Sequence, residues 1–216
     1  MNLEKNREVM IENQLRPNRI TNNNVLQVFM STSKEKFISE DKINICYSDQ
    51  DIYIKDQRGY LKNLHLAQII TNAKIKNTDK VLHVGGLTGY LSVIIGKICN
   101  QLVVLENEDD NISLLKNNFT INKLDNIKIV NGNLDKGFVE ESPYDLIIID
   151  CPIYNLNKIF IDQLNLEGKL IYIEKMNKEL SKAYKITKTK NSFSKDYLFD
   201  VFSEFSIDKK SKEFKF

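Results

Sequence analysis

Gly85, Gly86 and Gly89 fall in the stretch VLHVGGLTGYLSVIIG, where a short apolar run gives way to a helix-like one, and Glu106 closes the next apolar run, VVLE. Glycine between a strand and a helix lets the backbone pass close to a ligand and take positive φ. The amides at the start of the helix favour an anionic group. An acidic side chain about twenty residues further on is placed to accept the two hydroxyls of a ribose. Turn and acid together predict a ribose-bearing ligand. A dinucleotide fingerprint begun at Gly85 would need glycine at 87 and 90, where Leu87 and Tyr90 stand, and no phosphate loop ending in Gly-Lys-Ser/Thr is present. A nucleoside with a short carboxylate tail and no pyrophosphate fits better, and S-adenosylmethionine is such a molecule.

These residues need a parallel sheet to position them, and the sequence supplies its signature from residue 80 onward. Apolar runs at 81–84, 102–105, 127–130, 146–149 and 169–173 read as strands, with helices expected near 90–99, 109–122 and 155–164. The alternation then stops. Residues 183–189, 198–205 and 213–216 read as extended, which implies an antiparallel edge. On such an edge Lys185, Lys188 and Lys190 serve to block pairing with another chain. Before residue 80, helical spacing at 4–16, 22–31 and 64–75 surrounds an irregular stretch with one short extended piece near Tyr47, Ile52 and Ile54. The expected organisation is an N-terminal helical and loop region, 1–78, joined to an α/β domain, 79–216, as one unit.

Composition narrows the setting. The 216 residues carry a net charge of +2, too small to point to nucleic acid or a membrane surface as the partner. No apolar run approaches a membrane span and the opening MNLEKNREVM is too charged for a signal peptide, so a cytoplasmic protein is expected. Cys46, Cys99 and Cys151 show no paired spacing, which suggests neither disulfides nor a zinc site. Asp150, ahead of Cys151 and Pro152 at the end of the fourth strand, is expected to face the substrate. Cys151 has no activating neighbour in sequence and is not expected to be a nucleophile. His83 reads as a core histidine satisfied by a backbone group, and His65 as a cap or surface residue.

The chain resembles the protein-L-isoaspartate O-methyltransferase family. The resemblance covers nearly the whole length and rests on MIENQLRPNRITNNNVLQVFMSTSKEKFI (10–38), KVLHVGGLTGYLSVIIGKI, VVLENE, IVNGNLDKGFVEESPYDLIIID and DQLNLEGKLI. It implies a Rossmann-like, seven-stranded α/β sheet, mostly parallel with an antiparallel edge strand, bound S-adenosyl-L-methionine, and methylation of isoaspartyl carboxylates in peptides or proteins. Family members usually carry an acidic residue where this chain has His83, glycine where it has Leu87, and aspartate near the adenine where it has Asn133, whose amide still exchanges hydrogen bonds with a base. The segment DIYIKDQRGYLKNLHLAQII lacks the family's glycine-rich, serine-containing substrate loop, with Leu61 at the serine. Lys55, Gln57, Arg58 and Leu61 are therefore expected to crowd the peptide channel and leave isoaspartyl methylation weak or absent, while Arg58 could bind a different carboxylate by a two-point contact. Leu87 is expected to narrow the cofactor bed. Two alternatives stay open: the same fold acting on a changed substrate, such as a small molecule, or a degenerate, non-catalytic binding protein.

Overall fold

The sheet is built on the strands that the apolar runs predict. In the computed structural model, which describes residues 2–208, β1 (Ile52–Lys55) and β2 (Arg58–Tyr60) form a small antiparallel hairpin, and seven further strands form the main sheet. These are β3 (Lys80–Val84), β4 (Gln101–Glu106), β5 (Ile127–Asn131), β6 (Tyr144–Ile153), β7 (Leu164–Lys175), β8 (Leu180–Lys188) and β9 (Phe193–Phe202), in the spatial order β5-β4-β3-β6-β7-β8-β9. The first five of that row are parallel, whereas β8 runs antiparallel to both β7 and β9. Strand order reverses at β3, which pairs with β4 on one side and β6 on the other, so the crevice at its carboxyl end is the natural ligand position.

Burial on both faces explains the unbroken apolar runs of β3, β4 and β6. On one face lie α1 (Leu3–Met10), which continues as a wider π-helical turn through Ile11–Leu15, then α2 (Asn23–Met30), α3 (Asn63–Ala73) and α4 (Tyr90–Gly96). Asn2 and Asn22 cap α1 and α2 by accepting from backbone N–H groups of the first turn. Met10, Leu15, Phe29, Leu61 and Ile70 share one apolar core with Val81, Tyr90 and Val104, so the N-terminal region packs directly on the sheet. A second core on the opposite face gathers Leu82, Leu105, Ile147, Phe160 and Tyr172.

Several expectations are corrected. The helix α5 (Asp109–Ile121) forms where predicted, but the helix expected at 155–164 shrinks to one turn, α6 (Ile159–Asp162), because β6 runs on through Ile153 and β7 already begins at Leu164. The last extended piece is β9, earlier than the predicted 198–205, and the run at 213–216 lies outside the described residues. With β9 outermost, the lysines of β8 do not line an edge: Lys185 pairs with Asp196 across the strands at 3.1 Å, and Lys188 donates to the carbonyls of Asp162 and Leu164. Among the described residues no helix is long and apolar enough to cross a membrane, and no cluster of His, Cys, Asp and Glu is arranged to hold a metal.

Candidate cofactor site

The three glycines do different work. Gly85 takes φ +82°, and a Cβ there would stand 3.2 Å from an Arg58 guanidinium nitrogen and 3.4 Å from the Ile207 side chain. Gly86 and Gly89 serve packing: a Cβ on Gly86 would lie 2.3 Å from Val104, and Gly89, at φ +103°, lies against Leu115 of α5. Only Gly85 faces the crevice as a close-approach glycine. Leu87 also adopts positive φ, +51°, and its side chain, 2% exposed, enters the apolar core. The expectation that Leu87 narrows the cofactor bed is thus corrected. Its contribution to the turn is its backbone N–H, which donates to Glu106 at 2.8 Å.

Glu106 ends β4 with its carboxylate fully buried. Arg58 donates to both oxygens, at 2.8 and 2.7 Å, and the backbone N–H groups of Leu87, Asn107 and Glu108 complete the set. Burial would raise the Glu106 pKa, but the Arg58 hydrogen bonds and charge, with the Leu87 and Asn107 amides, hold it below the usual carboxylate range. Arg58 is expected from the sequence to face substrate; in the structure β2 places its guanidinium on Glu106.

The helix that follows the turn is also engaged. Tyr60, two residues beyond Arg58 and so on the same face of β2, accepts the N–H of Tyr90 at 3.0 Å and lies 2.7 Å from the Thr88 hydroxyl. Lys34 sits beneath, its buried amine 3.0 Å from Asn63 Oδ1 and over the rings of Tyr60 and Tyr90. Burial pushes its pKa down from 10.5 to about 7.

At the other flank of β3, Asp150 is buried and meets His83 Nε2 at 3.2 Å, while His83 Nδ1 lies 2.8 Å from Ser92 Oγ. His83 is a core histidine, but side chains satisfy it rather than the expected backbone group. His65 is buried too, stacked on Phe199, and not the surface residue expected. Cys151 is fully enclosed, and burial raises its thiol pKa beyond any reactive range.

Beyond Glu106 the crevice opens. A cleft of about 540 Å³ is lined by Arg58, Asn107, Asn133, Leu134, Asp135 and Ile207 among others. Asn133, predicted beside the adenine, lines this cleft together with Arg58, which stands between it and the buried Glu106 and Gly85. Sequence reasoning missed Tyr60, Lys34 and the segment 203–208. The signal for Tyr60 was its i, i+2 spacing from Arg58 in a run that reads IYIKDQRGY.

The model of the protein-L-isoaspartate(D-aspartate) O-methyltransferase family matches residues 4–202. The chain belongs to that family. A protein-L-isoaspartate O-methyltransferase of Brucella anthropi is 30% identical over 170 residues, 79% of this chain and 78% of that protein, and one of Petrotoga mobilis is 24% identical over 87% of this chain and 88% of its own. Among solved structures, a Plasmodium falciparum chain described as a member of the same family, in complex with S-adenosyl-L-homocysteine, superposes with a TM-score of 0.78 at 24% identity, covering 97% of this chain and 100% of that one. A further protein-L-isoaspartate O-methyltransferase structure gives a TM-score of 0.75 at 19% identity, over 94% of this chain and 65% of its own. At these identities the structures establish the fold, and the family match carries the kinship.

Proposed function

We propose that this family member is an S-adenosylmethionine-dependent carboxyl methyltransferase acting on isoaspartyl residues of peptides or proteins. The observation that carries this reading is the pairing of Gly85 with Glu106 at the switch point of the sheet, in a chain matched by the family over residues 4–202. The donor set suits an adenosyl group in kind. Gly85 permits close approach, Glu106 is an ionised two-oxygen acceptor for ribose hydroxyls, and Asn133 offers an amide to a base at the open end of the cleft. Bound S-adenosylmethionine supplies an electrophilic methyl on a sulfonium. The protein's part is positioning, because a carboxylate nucleophile needs no general base and the rate depends on holding both partners in line.

Asp150, hydrogen-bonded to His83 near the carboxyl end of the neighbouring strand β6, is assigned to the substrate side of the site. Of the four side chains expected to crowd the peptide channel, Lys55 pairs with Glu108, Leu61 is buried in the core and Arg58 lies on Glu106, while Gln57 lines the cleft beside Arg58. Slow methylation would accordingly come from the cofactor side. The test is a methyl-transfer assay with an isoaspartyl peptide beside its normal aspartyl control. Selective transfer to the isoaspartyl form supports the reading; transfer to both or to neither removes it.

A further inference from the structure

We propose that the β1–β2 hairpin is an intramolecular plug of the cofactor site, with Arg58 standing in for the ribose and Tyr60 occupying the helix amide, so that an adenosyl ligand binds only when β2 withdraws. The proposal rests on the reading of Gly85 and Glu106 as the adenosyl bed and deepens it by naming what controls access.

Two prongs on one short strand fill two polar anchors at once. Arg58 takes both Glu106 oxygens, leaving neither for a diol, and a guanidinium nitrogen lies directly over Gly85, 3.2 Å from where a Cβ would be. Tyr60 takes the N–H of Tyr90. The close approach that glycine permits is used here by the protein's own side chains. Between the prongs, Gly59 lets β2 pair tightly with β1: a Cβ on it would fall 2.2 Å from the Ile52 carbonyl oxygen and 2.6 Å from the Phe205 ring.

The segment 203–208 fastens the hairpin in place. Phe205 is fully buried against Gly59 and meets the Tyr53 ring edge-on, and the Ser206 N–H donates to the Gln57 carbonyl at the hairpin turn. Ile207 donates to the Pro152 carbonyl and reaches over Gly85, while Asp208 accepts from the Tyr154 and Asn155 amides. The hairpin is thus tied to the carboxyl end of β6. In contrast, the base end of the cleft, beside Asn133 and Leu134, is open. An adenosyl ligand can enter base first and then compete with Arg58 for Glu106.

When only a fraction of molecules is open, the apparent Kd is the intrinsic Kd divided by that fraction. Removing Arg58 raises the open fraction. Titration calorimetry with S-adenosylhomocysteine should therefore show Arg58→Gln binding at least about tenfold tighter than the wild-type chain, which corresponds to an open fraction of about one tenth or less in the latter. Hydrogen exchange on the wild-type chain gives a readout that needs no variant: saturating S-adenosylhomocysteine should speed exchange of the amides of β1 and β2 while protecting those around Gly85 and Asn107. Equal affinity in both chains, or protection of the hairpin by ligand, overturns the plug and leaves the cofactor reading intact. Silence in both chains, with circular dichroism showing them folded, removes the cofactor reading and the plug with it.

Discussion

Two buried acids flank β3, and their side-chain partners come from different places. Glu106, at the end of β4, is met by Arg58 from a two-stranded hairpin outside the main sheet. Asp150, in β6, is met by His83 from β3, its immediate neighbour in the sheet. Both need a partner, since a buried polar group without a hydrogen bond is costly. The setting of the partner differs. His83 cannot move without breaking two parallel ladders, whereas β2 is three residues long, lies outside the main sheet and is held by β1, by the 203–208 segment and by its own side chains. The two acids thus differ in which element carries the partner: a strand of the main sheet for Asp150, and a short hairpin outside it for Glu106.

The largest expected effect breaks the hairpin pair from its buried side. Glu106→Ala leaves the Arg58 guanidinium enclosed without its partner and three backbone N–H groups without an acceptor. Loss of one member of a buried pair costs about 3–5 kcal/mol. Urea unfolding should show that loss, and an effect under about 1 kcal/mol would mean that the hairpin swings away freely. Arg58→Gln should cost less, because the three amides still hold Glu106 and the cation is gone rather than stranded.

Leu87→Gly tests whether the turn is strained for the ligand or for packing. The change relieves a left-handed leucine, worth about 1–2 kcal/mol, but empties a buried site that for leucine truncations costs about 2–5 kcal/mol. The expected result is a net loss of about 1–3 kcal/mol in urea unfolding with S-adenosylhomocysteine affinity unchanged by calorimetry. Tighter binding would return Leu87 to the cofactor bed.

Protonation sharpens the contrast next. The Lys34 pKa is about 7 in the folded chain, below its ordinary 10.5, so between those values the unfolded chain holds the extra proton. Stability must then rise with pH across that window, by up to about 1.4 kcal/mol per unit from this residue. Lys34→Met should flatten the slope between about pH 7 and 8.5 relative to the wild-type chain, measured as the difference between the two unfolding series. Because Lys34 lies under the Tyr60 ring, the hairpin side of the crevice is the side that feels this proton. Glu106 works in the opposite range: its depressed pKa gives stability present above the ordinary carboxylate value and lost as pH falls through the folded one.

The smallest effect concerns the pair within the main sheet. Asp150→Asn keeps a hydrogen-bonding oxygen toward His83 and should cost only about 1 kcal/mol in urea unfolding. Hairpin hydrogen exchange should stay as in the wild-type chain. Faster hairpin exchange in this variant would show that the two acids are coupled through Arg58.

The strands β3, β4 and β5, the glycine turn and the acid at the end of β4 were legible in the sequence, because a strand buried on both faces must be continuously apolar and a tight turn with positive φ or close packing favours glycine. Those are local requirements, written residue by residue. The same local logic misjudged three features. Leu87 looked like an obstruction because its backbone lies in the turn, but where a side chain goes from a positive φ is decided by the apolar core that receives it. The lysines of β8 looked like edge guards because sequence order does not reveal that β9 lies outside them. Arg58 looked like a substrate residue because nothing within twenty residues of it is its partner: Glu106 is 48 positions away and is reached only when the hairpin folds over the crevice. Pairings of that range depend on how layers stack and how far a loop reaches, which are properties of the assembled chain. The sequence determined what the crevice is made of; the tertiary structure alone decided what lies in it.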